Sequence, residues 1–268
     1  FKIISEEALR RMSFSRGCSG FVVSGSMTKD GELIHARNMD GEVVDSWNKN
    51  LTLYLIKEPG EGNYPFVATA TAGLFYPGGV SGFNTQGISV SIHEMSTINY
   101  KLYMSGRKSD IAPYVLQRIL RNAGSIDDAI NIVKSMPHIA AWTVLVSDGQ
   151  RNETASIEFS ADRVRVARRG KESIGQANHF LHSDMTDQAY TPKFNKTLES
   201  RSRFDTLTKQ LAQAKADGKI VDVPWAMFHI AGHEDDMGKF RSFGRVVTKN
   251  YTSMSTVAVP FRHDGNLP

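Results

Sequence analysis

The chain has 268 residues, 40% of them hydrophobic, which suffices for one substantial core in a single large domain or in two small ones. Its net charge of +4 comes from 32 basic and 28 acidic residues spread along the sequence, without the basic runs interleaved with aromatics that mark a nucleic-acid binder. No apolar run approaches the roughly 18–20 residues of a membrane span, and a single cysteine, Cys18, excludes an internal disulfide framework and a cysteine-rich metal site. Because the sequence opens on Phe1, an upstream segment is expected to have been removed or left out. Asn-x-Ser/Thr sequons at Asn50, Asn152, Asn195 and Asn250 tilt the compartment toward secreted, periplasmic or lysosomal rather than cytoplasmic.

Residues 4–14 read as a short helix with Ser5 as its cap. A strand begins at Ser19 (GFVVSGS), the segment MTKDG carries turn chemistry, and ELIHARNMD returns as a second strand. Further strands are predicted at 50–56, 65–71 and 87–93. Asp110 to Pro113 opens a helix that closes at Gly124, and Ser125-Ile126-Asp127-Asp128 opens another in the form of a capping box. Strands resume at 141–149, 153–160, 163–169 and 173–180. Helices follow at about 197–215 and 224–231, and the last strand is predicted at 255–261. Strands and helices come in consecutive groups, not in alternation, which argues for an α+β fold with largely antiparallel sheets packed against layers of helices.

Arg16-Gly17-Cys18-Ser19-Gly20 is the segment richest in chemistry. A lone cysteine is usually a small buried hydrophobe. Here it stands at the start of a strand with glycines around it, where the backbone can adopt strained angles and come close to a reacting group. The thiol could attack the carbonyl of Gly17, form a thioester, and leave Cys18 as a new N-terminus after hydrolysis. A hairpin turning near Lys29-Asp30 sets position 18 opposite about position 40, so Arg37 and Asp40 return beside the thiol. The freed α-amine, with an unperturbed pKa of about 7.7–8, could serve as base for its own side chain, and a guanidinium would favour the thiolate.

Gly-Cys-Ser-Gly followed by a hairpin ending in Ala-Arg-Asn-Met-Asp resembles the opening segment of N-terminal-nucleophile (Ntn) hydrolases of the penicillin acyltransferase and choloylglycine hydrolase type. Gly82-Phe83-Asn84-Thr85-Gln86-Gly87-Ile88 is similar to the family's Gly-x-Asn-x-x-Gly-Leu segment. Ala141 to Phe159 is similar to its central strand pair, Ala177-Asn178-His179-Phe180 to a segment carrying a second Asn, Ser200 to Phe204 to its Ser-x-Arg-Phe helix, and Ser253 to Pro260 to its final strand. The resemblance implies a four-layer αββα sandwich, scission between Gly17 and Cys18, and hydrolysis or acyl transfer at a linear amide of a small N-acyl substrate. It implies Asn84 in the oxyanion hole, Asn178 as a second polar support near the nucleophile, and Arg203 reaching the site. Residues 1–17 then read as a propeptide tail or pre-nucleophile segment and 18–268 as the catalytic domain, with no cofactor and no metal; nothing in the sequence opposes a homo-oligomer.

Other residues admit other readings. Cys18 could work with a histidine base, His35 or His93, without any scission, or the scaffold could be a silent binding protein. Arg201 and Arg203 point about 200° apart on a helix, and only one can face the site. His229 and His233 have metal-ligand spacing, but Gly232 interrupts their helix and no glutamate stands between them. His179, His182 and Asp184 read as a polar loop. Tyr64, Phe66, Phe75, Tyr76 and Trp142 could line an acyl pocket or pack the core.

Overall fold

The computed structural model describes residues 17–40, 50–57, 60–71, 79–95, 110–138, 140–188, 196–235, 237–240, 247–248 and 252–262. The helix predicted at 4–14, together with Phe75 and Tyr76, lies outside the described residues. Two antiparallel sheets stack face to face. One has four strands in the order β10-β1-β2-β11: Gly17–Val23 (β1), Ile34–Asp40 (β2), Ile174–Gln176 (β10) and Thr252–Ala258 (β11). The other has seven strands in simple chain order: Leu51–Ile56 (β3), Phe66–Thr71 (β4), Ser81–Asn84 (β5), Ile88–Glu94 (β6), Trp142–Asp148 (β7), Glu153–Phe159 (β8) and Val164–Gly170 (β9).

Helices cover both outer faces. Ala112–Asn122 (α1) and Ile126–Ser135 (α2) bury Val115, Leu116, Ile119, Leu120, Ile130 and Val133 against Val90, Ile92, Val144 and Ile157 of the larger sheet. Lys196–Ala216 (α3) and Val223–Ile230 (α4) bury Leu207, Leu211, Trp225 and Ile230 against Phe21, Val23 and Ile34 of the smaller one. Alternation along each strand sends every second side chain to a helix layer and the others between the sheets. Between the sheets the packing is small and largely polar, with Ser89, Ser91, Ser147 and Ser156 buried beside a compact apolar group of Val22, Leu33, Leu145 and Ile174.

Local chemistry fixes the element ends. Ser125 caps α2 by accepting the Asp128 N–H at 3.1 Å, as the sequence predicts, while the Asp128 carboxylate takes the Ser125 hydroxyl at 2.8 Å and the Gly124 N–H at 3.0 Å in place of the cap residue's own N–H. Asp222 caps α4 through the Trp225 N–H at 2.8 Å. The cap of α1 is Ile111 rather than Asp110, which instead bridges to His138. Strand β5 escaped prediction, being only four residues long. Strand β10 stops at Gln176, short of the predicted 180, and β11 begins at Thr252, ahead of the predicted 255.

The β1–β2 hairpin corrects the predicted register by one residue. Two short 3₁₀ turns, Gly25–Met27 and Lys29–Gly31, join the strands, with Gly25, Asp30 and Gly31 at positive φ. Cys18 therefore lies opposite Met39, Asp40 opposite Gly17, and Arg37 opposite Gly20. Gly17 and Gly20 sit in extended strand, so the strained backbone expected around Cys18 is absent. The need for glycine at position 20 is packing: a Cβ there would stand 2.9 Å from the Ala36 carbonyl and 3.1 Å from the His93 ring.

Candidate active site

Cys18 is buried on the face of β1 that meets the larger sheet. Arg37, two residues before Met39 on the partner strand, projects to the same face, and its Nη2 donates to Cys18 Sγ at 3.3 Å and to the Ile92 carbonyl at 3.0 Å. Its Nε and Nη1 are buried and have no hydrogen-bond partner among the described residues. Burial pushes the thiol pKa up; the Arg37 guanidinium, and more weakly that of Arg203, pull it down, while the carboxylates of Asp40 and Glu94 oppose them. Burial also depresses the Arg37 pKa, against the thiol and Asp40.

The backbone of Cys18 is held as firmly as its side chain. Its N–H donates to Asn178 Oδ1 at 2.7 Å. Arg203 Nη1 donates to the Cys18 carbonyl and, at 2.8 Å, to Ser19 Oγ, while its Nη2 donates to Asn178 Oδ1 at 2.8 Å. Asn178 Nδ2 donates to the Glu94 carbonyl at 2.8 Å, which fixes the amide orientation. On α3 the buried Arg203 faces the site and Arg201 faces solvent, so the helix selects between the two. Asp40 stands at the Gly17 end of the pair, buried, and accepts from Thr252 Oγ1 at 2.7 Å.

Asn84 is not part of this cluster. Its Nδ2 donates to the carbonyls of Leu120 at 3.0 Å and Ala123 at 2.8 Å, and its Oδ1 accepts the N–H groups of Gln86 and Ile88, each at 3.0 Å. It points to the α1 side of the larger sheet, the face opposite Cys18, and all its bonding capacity closes the end of α1 and the β5–β6 turn. Expectation therefore moves from catalysis to stability. Asn84→Ala should cost roughly 2–4 kcal/mol of unfolding free energy, because four backbone groups, those of Leu120, Ala123 and Ile88 in buried residues, lose a partner. Turnover per folded molecule should stay within about threefold of wild type; thermal melts beside active-site titration check both.

The histidine-base alternative finds no contact. His35 bonds to Ser89, Ser91 and Ser147, and His93 to Ser91; neither ring bonds to Cys18 among the described residues. Burial, with Arg37 nearby, pushes the His35 pKa down to about 3 and that of His93 well below its usual value. His229 stacks on Trp225 with centroids 3.8 Å apart and His233 lies against Phe240, an aromatic setting for each imidazole; no metal-holding group occurs among the described residues. Phe66 and Trp142 belong to the core under α1 and α2, on the face away from Cys18. Sequence reading missed Ser200, whose Oγ takes the Asn178 N–H and bonds His179 Nδ1, each at 2.7 Å, and Glu94, which orients Asn178 through its carbonyl. Their signal was weak: Ser200 sat in the Ser-x-Arg-Phe stretch, but a backbone carbonyl leaves no mark in a sequence.

The sequence profile of acyl-coenzyme A:6-aminopenicillanic acid acyl-transferase matches residues 26–223. The chain belongs to that family. Cys18 precedes the matched stretch, while Arg37, Asp40, Asn178 and Arg203 fall within it. Among curated proteins the family member is 26% identical over 217 residues to the acid ceramidases of Pan troglodytes and Homo sapiens, with 72% of this chain aligned. It spans 55% of the length of those ceramidases, and 24% of an uncharacterized protein of Archaeoglobus fulgidus. An N-acylethanolamine-hydrolyzing acid amidase ortholog of Caenorhabditis elegans superposes with a TM-score of 0.64 at 16% identity, over 92% of this chain and 94% of that one. A mutant conjugated bile acid hydrolase of Clostridium perfringens superposes with a TM-score of 0.52 at 16% identity, over 77% and 76%. The two stacked antiparallel sheets between helix layers are thus the Ntn-hydrolase fold. No helix among the described residues is long and apolar enough to cross a membrane.

Proposed function

We propose that the chain is an amide hydrolase or acyltransferase whose nucleophile is the thiol of Cys18, set free as an N-terminal residue by scission of the Gly17–Cys18 bond. The observation that supports this most is the double hold on one residue: a guanidinium on its sulfur and a side-chain amide oxygen on its nitrogen. In maturation the sulfur adds to the Gly17 carbonyl and the Cys18 nitrogen leaves as an amine, giving a thioester. Water then hydrolyses the thioester to a Gly17 carboxylate and a free thiol. Residues 1–17 belong, on this reading, to the tail of the released segment, and 18–268 to the catalytic domain.

In turnover the α-amine takes the thiol proton, the thiolate adds to the substrate carbonyl, and the amine leaves with that proton, so the acyl group rests on sulfur. Water or an acceptor amine resolves the thioester, and hydrolase and transferase differ only in that step. Arg37 favours the thiolate, and its Nε and Nη1 are unspent donors beside the sulfur for the charge developing on the carbonyl oxygen. Asn178 Oδ1 receives the Cys18 nitrogen, Asp40, opposite Gly17 on the ladder, is the carboxylate we assign to the freed α-amine, and Arg203 keeps Asn178 and the Cys18 carbonyl in place. A small linear N-acyl amide is the substrate class we assign, in keeping with a structural neighbour named for hydrolysing N-acylethanolamines.

Incubation with N-lauroyl-7-amino-4-methylcoumarin should release the fluorophore and leave, after rapid quenching, a lauroyl mass on the peptide beginning at Cys18. Neutral hydroxylamine should remove it, as it removes a thioester. Fluorophore release with the label on a hydroxyl residue, or with no label in a Cys18→Ala variant that turns over as well as wild type, would overturn the assignment.

A further inference from the structure

Asn178 sits in an irregular segment between β10 and the 3₁₀ turn Ser183–Gln188, and irregular backbone has no ladder of its own to hold it. Strand β8 supplies the hold from the larger sheet at two points. Ser156 Oγ donates to Gln176 Oε1 at 2.8 Å, and Gln176 Nε2 donates to the Ala177 carbonyl at 3.1 Å. Two residues on, Glu158 Oε1 accepts the Leu181 N–H at 2.6 Å and Oε2 accepts the His182 N–H at 3.2 Å. Asn178 lies between those two anchors. Glu158 is fully buried. Its cross-strand neighbours are Thr143 on β7 and Arg165 on β9, and the Arg165 guanidinium is turned to Asp184 at 3.2 Å. His182 and Asp184 are the titratable groups of the segment it grips.

Such a side chain is costly as plain structure. A buried carboxylate that meets two N–H groups and, among the described residues, no cation loses more hydration than it regains, and burial pushes the Glu158 pKa up to about 7. A glutamine has one carbonyl oxygen and could not accept both N–H groups, one on each oxygen.

We propose that Glu158 is a positioning residue of the Cys18 site: by gripping the backbone of Leu181 and His182 it holds Asn178 against the Cys18 nitrogen. The proposal rests on the reading of Cys18 as nucleophile. Glu158 touches no reacting atom; it acts through Asn178, whose Oδ1 receives the Cys18 N–H.

The linkage sign separates this role from a stabilising one. A carboxyl whose folded pKa lies above its unfolded value of about 4.3 gives stability that is present below that value and lost as pH rises through about 7. At pH 8 wild type therefore carries the whole cost of the buried charge and Glu158→Gln carries none. Glu158→Gln should melt at or above the wild-type temperature at pH 8, the advantage shrinking toward pH 5. It should still turn over N-lauroyl-7-amino-4-methylcoumarin about tenfold more slowly in kcat, with KM within about twofold, as for a displaced positioning group. Hydrogen–deuterium exchange over residues 177–182 should be faster than in wild type. A merely structural glutamate predicts the reverse pattern: a lower melting temperature with kcat per folded molecule unchanged. Wild-type exchange rates over 177–182 in Glu158→Gln, or an unchanged kcat, would overturn the proposal. If wild type leaves the probe untouched, the amidase reading fails by itself; the clamp is then decided by exchange and by the rate at which iodoacetamide alkylates Cys18, expected to change at least threefold in Glu158→Gln and overturning the proposal if unchanged.

Discussion

Arg37→Ala is expected to lower kcat/KM for an N-acyl amide by a factor of about 10² or more, the scale of losing a preorganised charge at a reacting centre. Two consequences of one deletion combine. The thiol pKa is already pushed up by burial, and Arg37 is the largest influence holding it down. Without it the thiolate fraction at neutral pH falls, so the rate of Cys18 alkylation by iodoacetamide should shift toward alkaline pH. The donors Nε and Nη1 also disappear from beside the sulfur. Arg37→Lys separates the two: it keeps the charge and should keep most of the alkylation profile, but a single ammonium nitrogen replaces Nη2 alone and supplies nothing in place of Nε and Nη1, so kcat should stay depressed. Full activity in a folded Arg37→Ala protein would remove Arg37 from the mechanism. Activity is to be compared per folded molecule, because deleting this buried cation removes its own desolvation cost but leaves the buried Asp40 carboxylate with less compensation.

Much of this geometry was legible in the residues, for identifiable reasons. The hairpin was readable because turn chemistry between two apolar runs forces antiparallel return, and return alone carries Arg37 back to Cys18. The one-residue register error came from the turn: paired 3₁₀ turns with Asp30 at positive φ replace a tight two-residue loop, which sequence does not distinguish. Helical periodicity required only that one of Arg201 and Arg203 face the site; the preference for Arg203 came from its pairing with Phe204 in the Ser-x-Arg-Phe resemblance. Asn84 failed for the opposite reason. A glycine-flanked Asn before a strand has the same appearance whether its amide serves a substrate or closes a helix end, and only the face of β5 on which it stands decides. The hold on Asn178 by Glu158 and Ser200 left little signal, since both residues lie in stretches the sequence singles out but act through backbone N–H groups of residues 20 or more positions away.

The largest effect expected anywhere in the chain is that of Cys18→Ala. Every step of the account passes through this sulfur: addition to the Gly17 carbonyl, thioester formation, and attack on substrate. Its loss should abolish maturation and turnover together, whereas Arg37→Ala only slows them. The variant should fold, because a buried thiol and a methyl group differ little in volume and the Cys18 backbone contacts to Asn178 and Arg203 do not use the side chain. The decisive measurement is the intact mass, with N-terminal sequencing, of wild type and Cys18→Ala purified side by side. The account predicts a wild-type fragment whose first residue is Cys18 and a single uncut chain in the variant. A wild type that remains uncut while hydrolysing amides, or a variant cut before position 18, would contradict it.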